Sequence, residues 1–498
     1  MRSGSLREPR RTGADTTVQL PKAQFTARFV VCNGWPSDTD RSSYKTHEHS
    51  SRLGGQPLHT HHMPEDNYIL GTLASGEPVP LLLPDRRRHL YLCGMTGTGK
   101  TGLLLSLMRA DLMSGAGFCF LDPHGDASLA ITAATPPSRV NQVIYLDPSD
   151  PTHTFAHNPL ANVAEAERAT SAANLISAFK NIWGHSWGPR LEHVLSNTFR
   201  LLLDNKDQSL IAVPRLYADA DFRKRLLKNC IDPVVRFYWI YEFEALDARL
   251  RAETLSPIQN KIGVLLANPF IRSVLCQSAS TIDIADVMNT GKVLIVNLSK
   301  GNLGTEPAHL LGALLVTAVS QTAEARRNVA EDDRRDFTMY VDEFQNFATD
   351  SFASILSESR KWRLALVAAN QHVSQLSEEL QRAVFGNAGT IVAFRLGAID
   401  APIVAAELGM DNPRNLSETS NLRAWVRLMR DGAPMDPHYL EMLPYPKRPP
   451  SRLHRVIART RSRYMVPRPI VEAQIKAFFS DVAVRRPKTK KRFRRADG

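Results

Sequence analysis

No stretch of this 498-residue chain approaches the ~20 consecutive apolar residues that a membrane-crossing helix needs, so no integral membrane segment is expected. The N-terminus is polar and arginine-bearing, without the apolar core of a secretory signal. Cysteine is sparse: Cys32, Cys93, Cys119, Cys230 and Cys276 are scattered, odd in number and never spaced Cys-x-x-Cys. They offer no disulfide framework, and a reduced cytoplasm is the expected setting. Cys93 and Cys119 sit in apolar runs and read as small core residues. There are no internal repeats. A 43% hydrophobic content supports globular folding, and the length calls for two or three domains rather than one core.

Charge is unevenly placed. The net charge is +12, yet residues 448–498 hold sixteen Lys and Arg against three acids, a surplus of +13, leaving the preceding 447 residues at −1. The densest block, Arg485 to Arg495, repels itself and is not expected to fold alone. It reads either as a tether for phosphate backbones or as a solvated tail. Residues 1–64 are poor in apolar positions and are expected to form a mostly disordered arm. Their histidines (His47, His49, His59, His61, and His62) lack a metal-site framework and fit a solvated segment better than a metal site.

The strongest local signal is Gly94-Met95-Thr96-Gly97-Thr98-Gly99-Lys100-Thr101, a complete G-x-x-x-x-G-K-[ST] phosphate-binding loop. Backbone N–H groups of such a loop surround a β-phosphate, Lys100 reaches the β- and γ-phosphates, and the Thr101 hydroxyl ligates Mg²⁺. The apolar run Leu90–Cys93 before it predicts a buried strand. Leucines and methionines at helical spacing from Thr101 to Met113 predict a helix whose N-terminus faces the anion. Further strand-like runs lie at 117–121, 142–146, 292–297, 337–341, 364–369 and 390–394, alternating with helical stretches, which predicts a parallel sheet with helices on both faces. Residues 161–285 are instead helical throughout, and their many aromatics fit a helical core better than a base-stacking surface. The proline-rich piece from Pro444 to Pro450 is expected to end the core.

Asp342 and Glu343 end the run Met339-Tyr340-Val341. At a strand tip beside the loop, Asp342 would hold Mg²⁺ through its water shell and Glu343 would orient and deprotonate the attacking water. Asn370-Gln371 ends the next strand, where the Gln371 amide either senses a γ-phosphate or merely terminates the strand. Arg360, Lys361 and Arg363 precede that strand; a guanidinium there either reaches a neighbouring subunit's nucleotide or only complements a helix C-terminus.

Together with Asp122-Pro123-His124-Gly125-Asp126 and the run Glu358-Ser359-Arg360-Lys361, these motifs resemble the FtsK/HerA superfamily of pumping ATPases, and within it the TraG/TraD-like coupling proteins of type IV secretion and conjugation. The similarity runs from about Ile69 to Ala406. It implies a RecA-like P-loop NTPase core with an all-α insertion, ATP and Mg²⁺ as ligands, a homo-hexameric ring, and ATP-driven translocation of DNA. Relaxase or secretion-channel proteins would be partners, at the cytoplasmic face of a membrane. It implies catalytic roles for Lys100, Glu343, Gln371 and, in trans, Arg360; nucleotide contacts from Gly94 to Thr101; and metal contacts from Thr101 and Asp342. Two departures stand out: the family's N-terminal transmembrane helices have no counterpart here, and His124 replaces a usual lysine. The organisation expected is an arm (1–64), a first core part (65–160), the helical insertion (161–285), a second core part (286–447) and a basic segment (448–498). Two other activities fit the same motifs, a DNA-end-processing or secretion-energising motor and a nucleotide-switched DNA-binding scaffold. The intact Glu343 argues against the scaffold.

Overall fold

The computed structural model describes residues 68–347, 350–430, 432–445 and 451–483. The expected N-terminal arm, its histidines and the densest basic block lie outside them.

Eleven strands form one sheet. In chain order they are β1 (Ile69–Thr72), β2 (Pro78–Pro80), β3 (Leu90–Cys93), β4 (Gly117–Asp122), β5 (Val143–Leu146), β6 (Val293–Asn297), β7 (Phe337–Val341), β8 (Leu364–Asn370), β9 (Thr390–Ala393), β10 (Arg423–Arg427) and β11 (His438–Glu441). Their spatial order is β2-β1-β11-β10-β9-β3-β8-β7-β4-β6-β5. The seven strands from β9 to β5 are parallel, and the other four extend them antiparallel.

Every residue of the seven parallel strands is buried, as expected when helices cover both faces of a sheet. Alternate residues enter opposite cores. Tyr91, Cys93, Cys119, Leu121, Met339, Val341, Leu366 and Ala368 point into the larger one. Leu90, Leu92, Phe118, Phe120, Tyr340, Val367 and Ala369 point into the other, against the helix Lys100–Ser114. Strand β8 lies between β3 and β7, so the phosphate loop and the acidic pair leave the same sheet edge one strand apart.

A buried ion cluster ties this second face together. Asp111, on the helix Lys100–Ser114, accepts from Arg86 at 2.6 Å, from Tyr68 at 2.7 Å and from Tyr340 at 2.6 Å, while Arg86 also reaches the Tyr340 hydroxyl. Burial and the neighbouring Asp111 push the Tyr68 hydroxyl up to about 12.

Between Thr154 and Val293 the chain is helical, and its side chains continue the larger core: Phe179, Trp183, Phe199, Trp239 and Phe243 are buried among residues of the sheet face. Most of the aromatics expected in a core are there. Phe237 and Tyr241 differ, facing outward at 54% and 63% exposure. Among the described residues no helix is long and apolar enough to cross a membrane.

The fold does not end at the proline-rich piece. Helix Leu453–Tyr464 lies along edge strand β5, burying Val456, and Thr460 Oγ1 accepts the free Tyr145 N–H at 3.1 Å. Helix Arg468–Ala483 then seats Val471 and Ile475 against Ile211 and Cys276 of the helical segment. Charge counting hid this because the helix is amphipathic: Arg455 and Arg463 face outward while Val456 and Thr460 dock, and Arg461 pairs with Asp150.

Arg468 joins these parts. Its buried guanidinium donates to the carbonyls of Pro148 (3.0 Å) and Asp150 (2.7 Å) and to Ser273 Oγ (3.0 Å). Arg468→Ala leaves those acceptors without a donor, so it is expected to cost about 3 kcal/mol. Urea unfolding and limited proteolysis, which should release the C-terminal helix, check this. Unchanged stability and protection would contradict it.

Candidate nucleotide site

The phosphate loop is shaped by its contacts as well as its glycines. Gly94 and Gly99 have φ of +152° and +130°. A Cβ at Gly94 would lie 2.6 Å from Phe394 Cβ, and one at Gly99 would lie 2.8 Å from the Phe394 ring. Conformation and space therefore both demand glycine. Neighbouring strand ends hold the loop: Gly94 N–H donates to the Asn370 carbonyl at 3.2 Å, Met95 N–H to that of Arg395 at 2.8 Å, and Leu422 N–H to that of Thr98 at 2.9 Å. Thr98 Oγ1 closes the turn on the Met95 carbonyl at 2.7 Å. Thr96 and Gly97 form the tip.

Lys100, only 5% exposed, curls back on this loop, donating to the carbonyls of Gly94 at 2.5 Å and Met95 at 3.1 Å. Burial lowers its pKa, and the nearby Glu343 and Asp342 oppose that shift. Asp342 follows β7, with Oδ2 3.5 Å from Thr101 Oγ1 and Oδ1 accepting the Glu343 N–H at 3.0 Å. Burial, then the negative charges of Glu343 and Asp122, raises its carboxyl to about 6, while Lys100 and His124 act the other way. Glu343 is 5% exposed and holds a left-handed φ of +49°, a strained state of the kind that persists where the surroundings over-determine it.

Gln371 is half-buried at the end of β8, between the loop strand and the acidic strand. Lys100, Thr101, Asp342, Glu343 and Gln371 thus share the C-terminal edge of the parallel sheet, where α/β folds bind ligands. Arg360 does not join them. It is exposed in the turn Ser359–Trp362 that precedes β8, at the opposite sheet edge, and seven strand residues put it on the order of 20 Å away. Its neighbours are paired within the chain, Lys361 to Glu358 at 2.7 Å and Arg363 to Glu331 at 3.4 Å. Asp122 serves the turn: its carboxylate accepts the N–H groups of His124 (2.9 Å) and Ser128 (2.7 Å).

The family model for the type IV secretion-system coupling protein DNA-binding domain matches residues 74–419. The chain belongs to that family. Its P-loop is of the FtsK/HerA type that the motifs resemble. Among solved structures, the bacterial conjugative coupling protein TrwBdeltaN70 in its unbound form is similar at 16% identity, covering 76% of this chain and 89% of that one, with a TM-score of 0.53. TrwB in complex with the ATP analogue ADPNP matches at 15% identity over 78% of this chain and 92% of that one, TM-score 0.54. VirB4 of Thermoanaerobacter pseudethanolicus matches at 13% identity over 77% and 98%, TM-score 0.52. At these identities they show the shared fold. No curated protein matches the chain.

Four contributors to the coupling-protein site escaped motif reading. Gln345 donates its amide to Glu343 Oε2 at 2.7 Å. Lys300, held by Asn346 at 3.0 Å, lies in the field of Glu343. Phe394 and Leu422 wall the loop from hundreds of residues downstream. Gln345 lies two residues past the acidic pair, and Lys300 follows the tip of β6; the other two left no local signal.

Asp342 yields a pH-dependent expectation. Its folded pKa of about 6 lies above the usual 3.8, so the folded state holds the proton more tightly. The charged carboxylate therefore weakens the ligand-free fold progressively as pH rises from about 4 through 6. In nucleotide-free, Mg²⁺-free protein, Asp342→Asn should be more stable than wild type at pH 7.5, by on the order of 2–3 kcal/mol. The advantage should vanish by pH 4. Denaturation midpoints at the two pH values decide it, and equal midpoints at pH 7.5 would refute the assignment.

Proposed function

We propose that this chain is the ATP-driven coupling motor of conjugative DNA transfer or type IV secretion, hydrolysing ATP to move DNA. The observation that carries the reading is the meeting of the phosphate loop and the Asp342–Glu343 pair on one sheet edge, with Lys100 in the field of both carboxylates. Family membership supports the DNA-directed part. TrwB, as its structures are described, binds an ATP analogue and, separately, ADP with Mg²⁺.

The residues fit such ligands. The glycine cradle presents backbone N–H groups to phosphate, and phosphate oxygens would replace the two carbonyls now satisfying Lys100. Mg²⁺ takes one or two protein oxygens and completes its shell with water and phosphates. Thr101 and Asp342 would hold it, and it would supply charge stabilisation on the transferred phosphoryl group. Glu343 takes a proton from water as the water oxygen bonds to the γ-phosphorus. The bond to the β–γ bridging oxygen breaks, and ADP and phosphate leave. Gln371, at the tip between the two motifs, is placed to report the γ-phosphate to β8.

Arg360 cannot serve its own chain's site from the opposite edge. Its exposure suits delivery to a neighbour in a homo-hexameric ring. We place the protein in the cytoplasm, peripheral at the inner membrane face, with relaxase or channel proteins as partners. The four described cysteines, all free, are compatible with a reducing compartment.

ATPase assays with and without DNA test the reading. DNA-stimulated turnover is expected; turnover indifferent to DNA would favour a secretion energiser, and negligible turnover a nucleotide-switched scaffold. Lys100→Ala and Glu343→Gln should each lower kcat by ~100-fold or more, with Glu343→Gln still binding ATP because only water activation is lost. Near wild-type turnover by Glu343→Gln would remove that residue from the mechanism. Arg360→Ala should bind nucleotide without hydrolysing it, and mixing it with Lys100→Ala should restore part of the activity. Failure of any mixture to recover activity counts against a role in trans.

A further inference from the structure

The segment after Glu343 is held unusually firmly. Phe344 is buried between Tyr91 and Phe352, with ring centroids 6.0 and 5.7 Å away. Asn346 accepts from Lys300 Nζ at 3.0 Å. Gln345, in the short turn Phe344–Asn346, is thus carried between two anchored residues. Its Nε2 donates to Glu343 Oε2 at 2.7 Å, while its Oε1 is buried with no hydrogen-bond partner. An ionised carboxylate only accepts, so it dictates which way the amide faces and turns the carbonyl oxygen elsewhere. Leaving a buried carbonyl without a donor costs about 1–3 kcal/mol, and such exceptions ask for a water or a ligand group to complete them.

We propose that Gln345 is a positioning residue of the hydrolytic site, clamping the Glu343 carboxylate through its amide nitrogen and accepting the second hydrogen of the attacking water through its carbonyl oxygen. This rests on the hydrolase reading above. The attacking water has two hydrogens and needs one lone pair aimed at the γ-phosphorus. Glu343 accepts and removes the first proton. Gln345 Oε1 holds the second hydrogen, which stays on the oxygen that becomes part of the phosphate product. With both hydrogens engaged, the water's orientation is set before reaction rather than during it, the kind of preorganisation whose loss costs up to ~100-fold in rate.

The test uses the full chain with DNA. Gln345→Met keeps length and bulk but makes neither hydrogen bond, and Gln345→Asn keeps the amide one methylene short. Gln345→Met is expected to lower kcat by roughly 10- to 100-fold while KM and ADPNP affinity change less than about threefold. Affinity for ADP–aluminium fluoride, which mimics the phosphoryl group in transfer, should fall by a factor like that in kcat. Gln345→Asn should lie between the two proteins, and it carries the same test should the methionine variant fail to fold. Near wild-type kcat in both variants, or parallel losses of kcat and ADPNP affinity, would overturn the assignment. Negligible turnover by the unmodified chain would sink the hydrolase reading itself, a result distinct from silence at Gln345 alone.

Discussion

The site depends on one buried contact: Asp111 clasped by Arg86, Tyr68 and Tyr340. Asp111 lies three turns along the helix that starts at Lys100, and Tyr340 lies two residues before Asp342. Their bond therefore sets the rotation of the phosphate-loop helix against the strand that carries the acidic pair. Arg86, wholly buried, keeps its charge because Asp111 and the tyrosine oxygens outweigh the burial that opposes it. Such a pair adds little net stability over a well-packed apolar substitute, yet losing one partner strands a buried charge at a cost of about 3–5 kcal/mol. Its value here is register: an apolar contact would tolerate rotation of the helix, and an ion pair saturated by two phenols does not.

With that register set, the site collects charge that the fold alone would not choose. Asp342, Glu343 and Asp122 crowd one edge, and burial with these neighbouring charges raises the Asp342 carboxyl to about 6. Lys100 is the buried counter-charge, and it rests on carbonyls rather than on either carboxylate. Incoming phosphates and their metal would relieve both tensions together. The left-handed Glu343 is part of the same arrangement, held by Gln345 on one side and by the Asp342 carboxylate on its own N–H on the other.

The C-terminal strap shows a second kind of coupling. Helix Leu453–Tyr464 covers the edge of β5, removing an exposed strand edge. Arg468 then fastens that edge to the helical segment through carbonyls at 148 and 150 and the hydroxyl of Ser273. Motion of the helical segment relative to the sheet would have to break or carry this fastening, so the strap links the two parts mechanically as well as energetically.

Local chemistry made much of this readable. The phosphate loop, the seven parallel strands and the acidic strand tip were legible because buried strands are continuous apolar runs and catalytic tips follow them directly. The antiparallel strands β10 and β11 were not, since their buried residues alternate with polar ones on an exposed face. The docked C-terminal helices were hidden by their charge. By itself the sequence determined the parallel strands, the nucleotide motif and the chemical identity of the acidic pair, because these depend on neighbours a few positions apart. Only the tertiary structure decided that Gln345 clasps Glu343, that Phe394 and Leu422 close the loop, and that Arg360 stands at the far edge. The loop closure depends on strand order, set by contacts between residues tens to hundreds of positions apart that no local pattern records, and the Gln345 clasp, though it spans two residues, needs the turn that the packing of Phe344 and the Lys300–Asn346 bond hold.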